Sequence, residues 1–357
     1  MAQILLSFSI LIFAISLINF VTIRIPKRDE EIKKAVTVLV PMRNEAENVP
    51  EFISALSAQM GVKRANFIII NDGSTDKTAE LLHAVIDGDS RFSVIDSPAQ
   101  RDGWLGKVSA LQSGFEVATS DYIITLDADV RLAPNALMRA ITQLEKLKLD
   151  FLSPYPRQIA QTFPEKLIQP LLHWSWMSTV ILRLAEKFPR RSTAVANGQF
   201  FLARKSALDA IDGFSSVSTQ ILDDIELARS LIAAGYKGVV TEGSGIASTR
   251  MYGSFDEIRQ GYGKSLWKAF GGPLGSIVAI AFLFITGILP VLLILNGNII
   301  GVFIYLYITF SREISAIRSR GNPLYAFLHP LSSALLIYLI IYSWSHRGKI
   351  QWKGRTV

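Results

Sequence analysis

No cysteine occurs in the 357 residues, which excludes disulfide scaffolds, thiolate metal sites, iron–sulfur clusters and cysteine nucleophiles. Histidine is nearly as scarce, with four scattered copies, and offers no spacing for a zinc site. Charge is thin as well. Only 19% of residues are Asp, Glu, Lys or Arg, against 50% hydrophobic ones, and the chain is too apolar for an ordinary soluble domain. Disorder and collagen-like repeats are excluded by the same composition. The net charge of +7 raises nucleic acid as a partner, but no basic patch is interleaved with aromatics. The cations flank apolar segments instead, where anionic lipid attracts them. A membrane is therefore the expected partner, and nucleic acid is not.

What the chain has in place of charge is long uncharged runs. Residues 1–23 carry none, and 4–23 supply 20 mostly apolar positions, which at about 1.5 Å per residue cover a hydrocarbon core of roughly 30 Å. A basic start and a small-x-small cleavage site, the marks of a signal peptide, are missing, so 1–23 is expected to remain as a transmembrane helix. Arg24, Lys27, Arg28, Lys33 and Lys34 follow at once and place that flank in the cytoplasm of a multi-pass cell-membrane protein. A second run, 269–311, is interrupted by Asn296-Gly297-Asn298, a turn signal that predicts a hairpin of membrane helices. Its second arm is short unless it continues past Arg312 and Glu313, with their charged heads reaching back to the interface. Membrane segments are thus expected across 271–345. The last uncharged run, 321–345, contains Pro330 and predicts a kinked span or a re-entrant dip. Charge favours the dip: a full span leaves His346, Arg347, Lys349, Lys353 and Arg355 of the basic tail 346–357 outside, against the positive-inside tendency.

Residues 24–270 form the expected cytoplasmic domain. From 35 to 270, short β-branched or aromatic runs alternate with amphipathic ones, the pattern of a doubly wound α/β domain. Strands are predicted at 36–40, 67–71, 92–95 and 122–126. In open parallel sheets ligands bind off the carboxyl ends of strands, and three of those ends are polar: PMRNEAENV, NDGSTDKT and DADV. Singly, each has an ordinary use. Asp72-Gly73-Ser74 makes a strand-to-helix turn, with Thr75 or Asp76 capping the next helix, and Asp127-x-Asp129 recurs by chance. Together they bring to one sheet edge what a sugar nucleotide needs: acceptors for base and ribose, carboxylates for a divalent cation, and a basic group beside the diphosphate. Two carboxylates one residue apart at a strand end point one side chain toward the nucleotide and the other toward the cation. Lys107, in GWLGKVSALQSG, adds positive charge at a helix start, which favours a pyrophosphate.

The runs VTVLVPMRNEAENV, IIINDGSTDKTAELL, IITLDADVRL and ILDDIELARSLIAAGY resemble those of family 2 inverting glycosyltransferases. The resemblance covers about residues 35–270. It implies a GT-A fold, a Rossmann-like nucleotide-diphospho-sugar transferase domain of the α/β class, here with N-terminal and C-terminal transmembrane helices. It further implies that Glu45 and Asp72 hold the nucleotide base, with Ser74, Lys107 and Gly198 also on the nucleotide-sugar side. Asp127 falls on the ribose or diphosphate side, and Asp129, with Asp127 beside it, on Mg²⁺ or Mn²⁺. Asp224 becomes the general base and Asp223 its neighbour. Asp223-Asp224 also suits the start of a helix ending at Gly235, and the two uses are compatible, because a helix start fixes a carboxylate. Residues 196–201, around Gly198, fit the family's close-approach loop at the donor sugar and equally a plain edge strand.

The resemblance departs in one place. Sugar-polymerising members carry a QxxRW run, where this chain has Gln260-Gly261-Tyr262-Gly263-Lys264-Ser265-Leu266-Trp267. Either Gln260, Lys264 and Trp267 serve the acceptor or phosphate side, or Lys264 and Trp267 are interfacial anchors; a polysaccharide synthase is disfavoured both ways. Residues 163–188, with Trp174, Trp176, Lys166, Arg183 and Lys187, are expected to lie in the interface as an amphipathic helix, a buried core helix being the alternative. The layout of one N-terminal helix, GWLGKVSALQSG, RMYGSFDEIRQGYGKSLWKAFGG and the tail HPLSSALLIYLIIYSWSHRGKIQWKGR is similar to bacterial carotenoid glycosyltransferases of the diaponeurosporenoate type, and other glycolipid enzymes share much of it. The expected reaction moves a hexose from a UDP-hexose, UDP-glucose first, to a membrane isoprenoid or carotenoid lipid. A hydroxyl acceptor is favoured, because a base such as Asp224 helps only a nucleophile that must lose a proton. The alternatives are a polyprenyl-phosphate sugar transferase or other glycolipid synthase and, outside catalysis, a membrane assembly subunit that keeps the fold.

Overall fold

The computed structural model describes residues 2–86, 88–98, 100–348, 351–352 and 355–356. The chain divides into two units. One comprises Arg24–Arg157 with Leu184–Thr249, the other Met1–Ile23 with Gln158–Arg183 and Arg250–Val357. Helix α1 (Ala2–Thr22) opens the chain within the second.

The first unit is a sheet with helices on both faces. Its strands are β1 (Ile32–Met42), β2 (Val62–Asn71), β3 (Phe92–Asp96), β4 (Tyr122–Leu126), β5 (Val130–Leu132), β6 (Phe151–Tyr155), the two-residue β7 (Arg157–Gln158), β8 (Phe200–Arg204), β9 (Gly238–Glu242) and β10 (Ala247–Thr249). Seven of them order as β3-β2-β1-β4-β8-β6-β9. Neighbours run parallel except around β8, which is antiparallel to β4 and β6. Alternation along β1 serves both layers. Val36, Val38 and Val40 enter the core formed with α2 (Val49–Ser57), α3 (Thr78–Val85) and α5 (Ala136–Lys146). Leu39 enters the opposite one, formed with α4 (Gly106–Val117), α8 (Lys205–Asp209) and α9 (Asp223–Ala233). The chain winds outward from β1 to β2 and β3 and then returns to add β4 on the other side. This reversal opens a crevice at the carboxyl ends of β1 and β4. The four predicted strands form where expected, and residues 200–204 form a strand interior to the sheet, so the edge-strand alternative for 196–201 is overturned.

The second unit is helical. With α1 it holds α6 (Phe163–Thr179), the first residues of α7 (Leu182–Lys187), α10 (Phe255–Ala269), α11 (Pro273–Leu283), α12 (Leu289–Leu295), α13 (Ile299–Arg318) and α14 (His329–Ser345). A π turn, Phe284–Ile288, joins α11 to α12. Among the described residues four stretches are long and apolar enough to cross a membrane: Ala2–Thr22, Pro273–Leu295, Ile299–Arg318 and Pro323–Ser345. The hairpin turn falls at residues 296–298, where Asn298 Oδ1 accepts from Ile300 N at 3.0 Å and caps α13.

Three membrane expectations are corrected. Arg312 does not reach back to an interface. It is 2% exposed, because its Nη1 turns inward to His329 Nδ1 at 3.2 Å. Pro330 neither kinks nor reverses the last segment. It stands in the first turn of α14, where its missing N–H has no intrahelical partner to lose, and 321–345 continues from a 3₁₀ turn, Pro323–Leu328, into one helix without a dip. Residues 163–188 are not one interfacial helix. α6 ends at Thr179, Asn19 Nδ2 donates to Met177 O at 2.9 Å and to Val180 O at 2.6 Å, and Asn19 Oδ1 accepts from Leu182 N at 3.0 Å. α6 buries Leu167, Ile168, Leu171, Trp174 and Met177 and packs with α1, α13 and α14, which is the buried alternative. Residues 158–183 and 250–270 accordingly join the apolar helices and not the sheet. Of the basic tail, Lys349 and Lys353 lie outside the described residues.

Candidate active site

Two loops at the crevice are sewn together by side chains. After β1, Asn44 turns with φ +52, a conformation Asn tolerates. Asn44 N donates to Ser74 Oγ at 3.1 Å, and Thr75 N donates back to Asn44 Oδ1 at 2.8 Å. Glu45 N reaches Thr78 Oγ1 at 2.8 Å, and Ala46 N reaches Asp76 Oδ2 at 3.2 Å. Burial works against charge on Asp76, but the hydroxyl and N–H of Thr78 and the N–H of Ala46 outweigh it and hold this carboxyl below its usual range. Arg43 Nη1 donates to Asp72 O at 2.6 Å and Gly73 O at 3.1 Å. Gly73 has φ +63, where a side chain is strained. The result is a platform that presents Glu45 and the buried Asp72. Asn48 Nδ2 donates to Glu45 Oε2 at 2.8 Å, Arg131 Nη2 to Asn48 Oδ1 at 2.7 Å, and Arg131 Nη1 to Ala128 O at 3.0 Å. Arg131 thus ties the platform to the Asp127-Ala128-Asp129 turn.

That turn runs from the end of β4 into β5. Asp127 Oδ1 pairs with Lys107 Nζ at 2.7 Å. Lys107 stands in the first turn of α4, which has no capping side chain. Burial opposes its charge, yet Asp127, Asp223 and Asp224 together overcome that and hold the ammonium above its ordinary pKa. Its side chain is nonetheless 38% exposed. Asp129 Oδ2 accepts from Thr249 Oγ1 at 2.9 Å, an approach set by the pairing of Val130 with Thr249 across β5 and β10. Burial, then the neighbouring charges of Asp127 and Glu45, push Asp129 up to about 6 against the Thr249 bond.

Asp223 and Asp224 begin α9. Asp224 Oδ1 accepts from Ile225 N at 2.8 Å and Oδ2 from Gly198 N at 2.6 Å. A Cβ on residue 198 would lie 3.3 Å from Asp224 Cβ and 3.5 Å from Lys107 Nζ, so glycine permits this approach. Burial, then Asp223, push Asp224 up to about 6, opposed by the two N–H groups and Lys107. It is therefore mostly ionised at neutral pH yet more basic than a free carboxylate.

Glu45, Asp72, Ser74, Lys107, Asp127, Asp129, Gly198, Asp223 and Asp224 all fall in the sheet unit. Direct bonds join Lys107 to Asp127 and Gly198 to Asp224. Ser74 is occupied in fastening the loops. Gln260, Lys264 and Trp267 lie on α10 of the helical unit, where Trp267 Nε1 donates to Lys264 O at 3.1 Å and Trp267 N to Ser343 Oγ at 3.0 Å. Sequence reasoning missed Thr249, Asn48 and Arg131. Arg131 follows the acidic pair closely, but nothing in GIASTR signals that its threonine returns beside Asp129. A divalent cation wants hard oxygens with unneutralised charge. The half-buried Asp129, crowded by Asp127 and Glu45, meets that need, so these residues fit Mg²⁺ or Mn²⁺. Among the described residues no third His, Asp or Glu completes a protein cage, which leaves positions for phosphate oxygens.

Comparison with known proteins bears on the family and the fold. Residues 37–212 match the family model Glycosyl transferase family 2. The 4,4'-diaponeurosporenoate glycosyltransferases of Staphylococcus aureus strains MRSA252 and USA300 are 26% and 27% identical over 339 residues, covering 90% of this chain and 88% of theirs. Among solved structures, the mannosyltransferase PcManGT from Pyrobaculum calidifontis, in complex with GDP-Man and Mn²⁺, matches over 97% of this chain and 98% of its own. Its TM-score is 0.54 at 15% identity, a likeness of fold. Residues 37–212 form a family 2 glycosyltransferase domain, and the chain is a glycosyltransferase of GT-A fold.

Proposed function

We propose that the protein moves a hexose, glucose from UDP-glucose first among donors, onto a membrane isoprenoid or carotenoid lipid, with inversion at the anomeric carbon. The observation that carries the reading is the setting of Asp224: a half-buried carboxylate with its pKa pushed up to about 6, fixed by Gly198 and Ile225 and adjoining the Lys107–Asp127 pair. In one displacement the acceptor hydroxyl passes its proton to Asp224 and its oxygen bonds to the anomeric carbon. The bond from that carbon to the phosphate oxygen breaks, releasing the nucleoside diphosphate. Glu45 and Asp72 accept hydrogen bonds from the base, and Lys107 faces the diphosphate and offsets its charge. A divalent cation held by Asp129 and Asp127, when bound, adds Lewis-acid neutralisation of the leaving group, for which no acid side chain is then needed.

The lipid part of the reading is supported by the four apolar helices and by the named carotenoid-type substrate of the Staphylococcus relatives. In this reading the helices anchor the protein in the cell membrane with the sheet unit in the cytoplasm, an orientation that the basic residues after α1 support. Lipid extracts from cells with and without the gene, compared by mass spectrometry, test this. A hexose-bearing isoprenoid that disappears with the gene is expected; unchanged lipid profiles contradict it.

A further inference from the structure

The interior of the helical unit is polar. Ser16 Oγ and Trp174 Nε1 both meet Ser311 Oγ, at 2.7 and 2.8 Å, and His173 Nδ1 meets Ser315 Oγ at 2.7 Å. Beside them stands Arg312, 2% exposed, with no carboxylate paired to it among the described residues. Its Nη1 contacts His329 Nδ1 at 3.2 Å. A guanidinium only donates, so Nδ1 accepts, the ring is the neutral tautomer, and its Nε2–H faces Thr286 Oγ1 and Ser333 Oγ, each at 3.3 Å. The histidine therefore brings no counter-charge. Among the described residues Arg312 Nη2 has no hydrogen-bond partner, and neither does Thr309 Oγ1, one turn before Arg312 on α13, or Ser332 Oγ, one turn after His329 on α14.

A buried cation left unpaired is costly, and ionisable side chains inside membrane helices are retained where they meet an ion or substrate. We propose that Arg312, with the hydroxyls of Thr309 and Ser332, binds the oxyanion of a lipid, a carboxylate or a phosphate. This goes beyond the glycosyl-transfer reading and does not depend on it. Guanidinium and oxyanion match by paired N–H···O bonds, and the hydroxyls supply further donors. A lipid source is indicated by where the site stands: Arg312 and Thr309 lie on α13, one of the helices long and apolar enough to cross a membrane.

The test uses the full chain in neutral detergent at pH 8, with cis-parinaric acid, a polyene carboxylic acid, beside its methyl ester. Binding is read by energy transfer from the protein's tryptophans. The acid is expected to bind about tenfold or more tighter than the ester, the scale of one charge-assisted contact. Arg312→Gln should bring the acid down to the ester's affinity while leaving ester and UDP binding unchanged, and Arg312→Lys should keep part of the preference. Displacement of the acid by phosphatidylglycerol identifies a phosphate lipid as the source, and retention of the acid against it identifies a lipid carboxylate. Equal affinity of acid and ester in the wild type overturns the proposal without any variant. So does an undiminished preference in Arg312→Gln, or displacement by inorganic phosphate as effective as by the lipid.

Discussion

Asp224 and Asp129 share a local device: each carboxyl is half-buried beside another carboxylate and steadied by a small number of donors. For Asp224 the consequence is a rate that depends on its ionisation. With a hydroxyl acceptor, kcat/KM should rise with pH through about 6 and then level. Asp223→Asn removes a negative neighbour that raises the pKa, so the rising limb should move to lower pH. Asp224→Asn should cost roughly 10²- to 10⁴-fold with a hydroxyl acceptor and far less with a carboxylate, which carries no proton to remove at neutral pH. Steady-state rates on a carotenoid alcohol and a carotenoid acid check this, and equal losses on both would show that Asp224 is not the base. Thr249 acts on Asp129 through its hydroxyl. Thr249→Val should weaken Mn²⁺ binding about tenfold or more, as loss of a bond to a metal ligand commonly does, and Thr249→Ser should restore it; electron paramagnetic resonance titration of Mn²⁺ reads this directly.

The elements near the site are joined by side-chain bridges whose legibility in the sequence varied with distance along the chain. The loops after β1 and β2 were readable because Asn, Asp, Gly and Ser at strand ends have local uses. Asp76 bonds Thr78 two residues on, as a turn signal suggests. The Arg131–Asn48–Glu45 chain was not readable, because its Arg131–Asn48 link joins residues 83 positions apart in sequence. Asn48→Ala should leave Glu45 without its amide donor and weaken UDP binding severalfold by calorimetry; unchanged affinity would argue against Glu45 as a base-binding group. The apolar runs located the membrane helices, but hydropathy is blind to what a helix packs against. Trp174, His173 and Arg312 turn inward because Ser311, Ser315 and His329, respectively, offer polar partners there. For the same reason α6 joins the helical unit, although its composition suits an interface. Pro330 misled because a proline terminates a helix from within yet starts one well.

At the scale of the whole molecule, a sheet unit with an acidic crevice and a unit of apolar helices occur in one chain, and the central claim is that they serve one reaction, hexose transfer from nucleotide to lipid. The direct measurement is incubation of purified full-length protein with UDP-[¹⁴C]glucose, Mn²⁺ and a membrane isoprenoid extract, followed by partition of label between water and organic solvent. Label is expected in the organic phase for the wild type. It should be lost in excess EDTA and in Asp129→Asn, a substitution that keeps the side chain's size but removes the charge a hard cation needs. Label that stays in water as free sugar, or lipid labelling undiminished by EDTA and by Asp129→Asn, would contradict the claim.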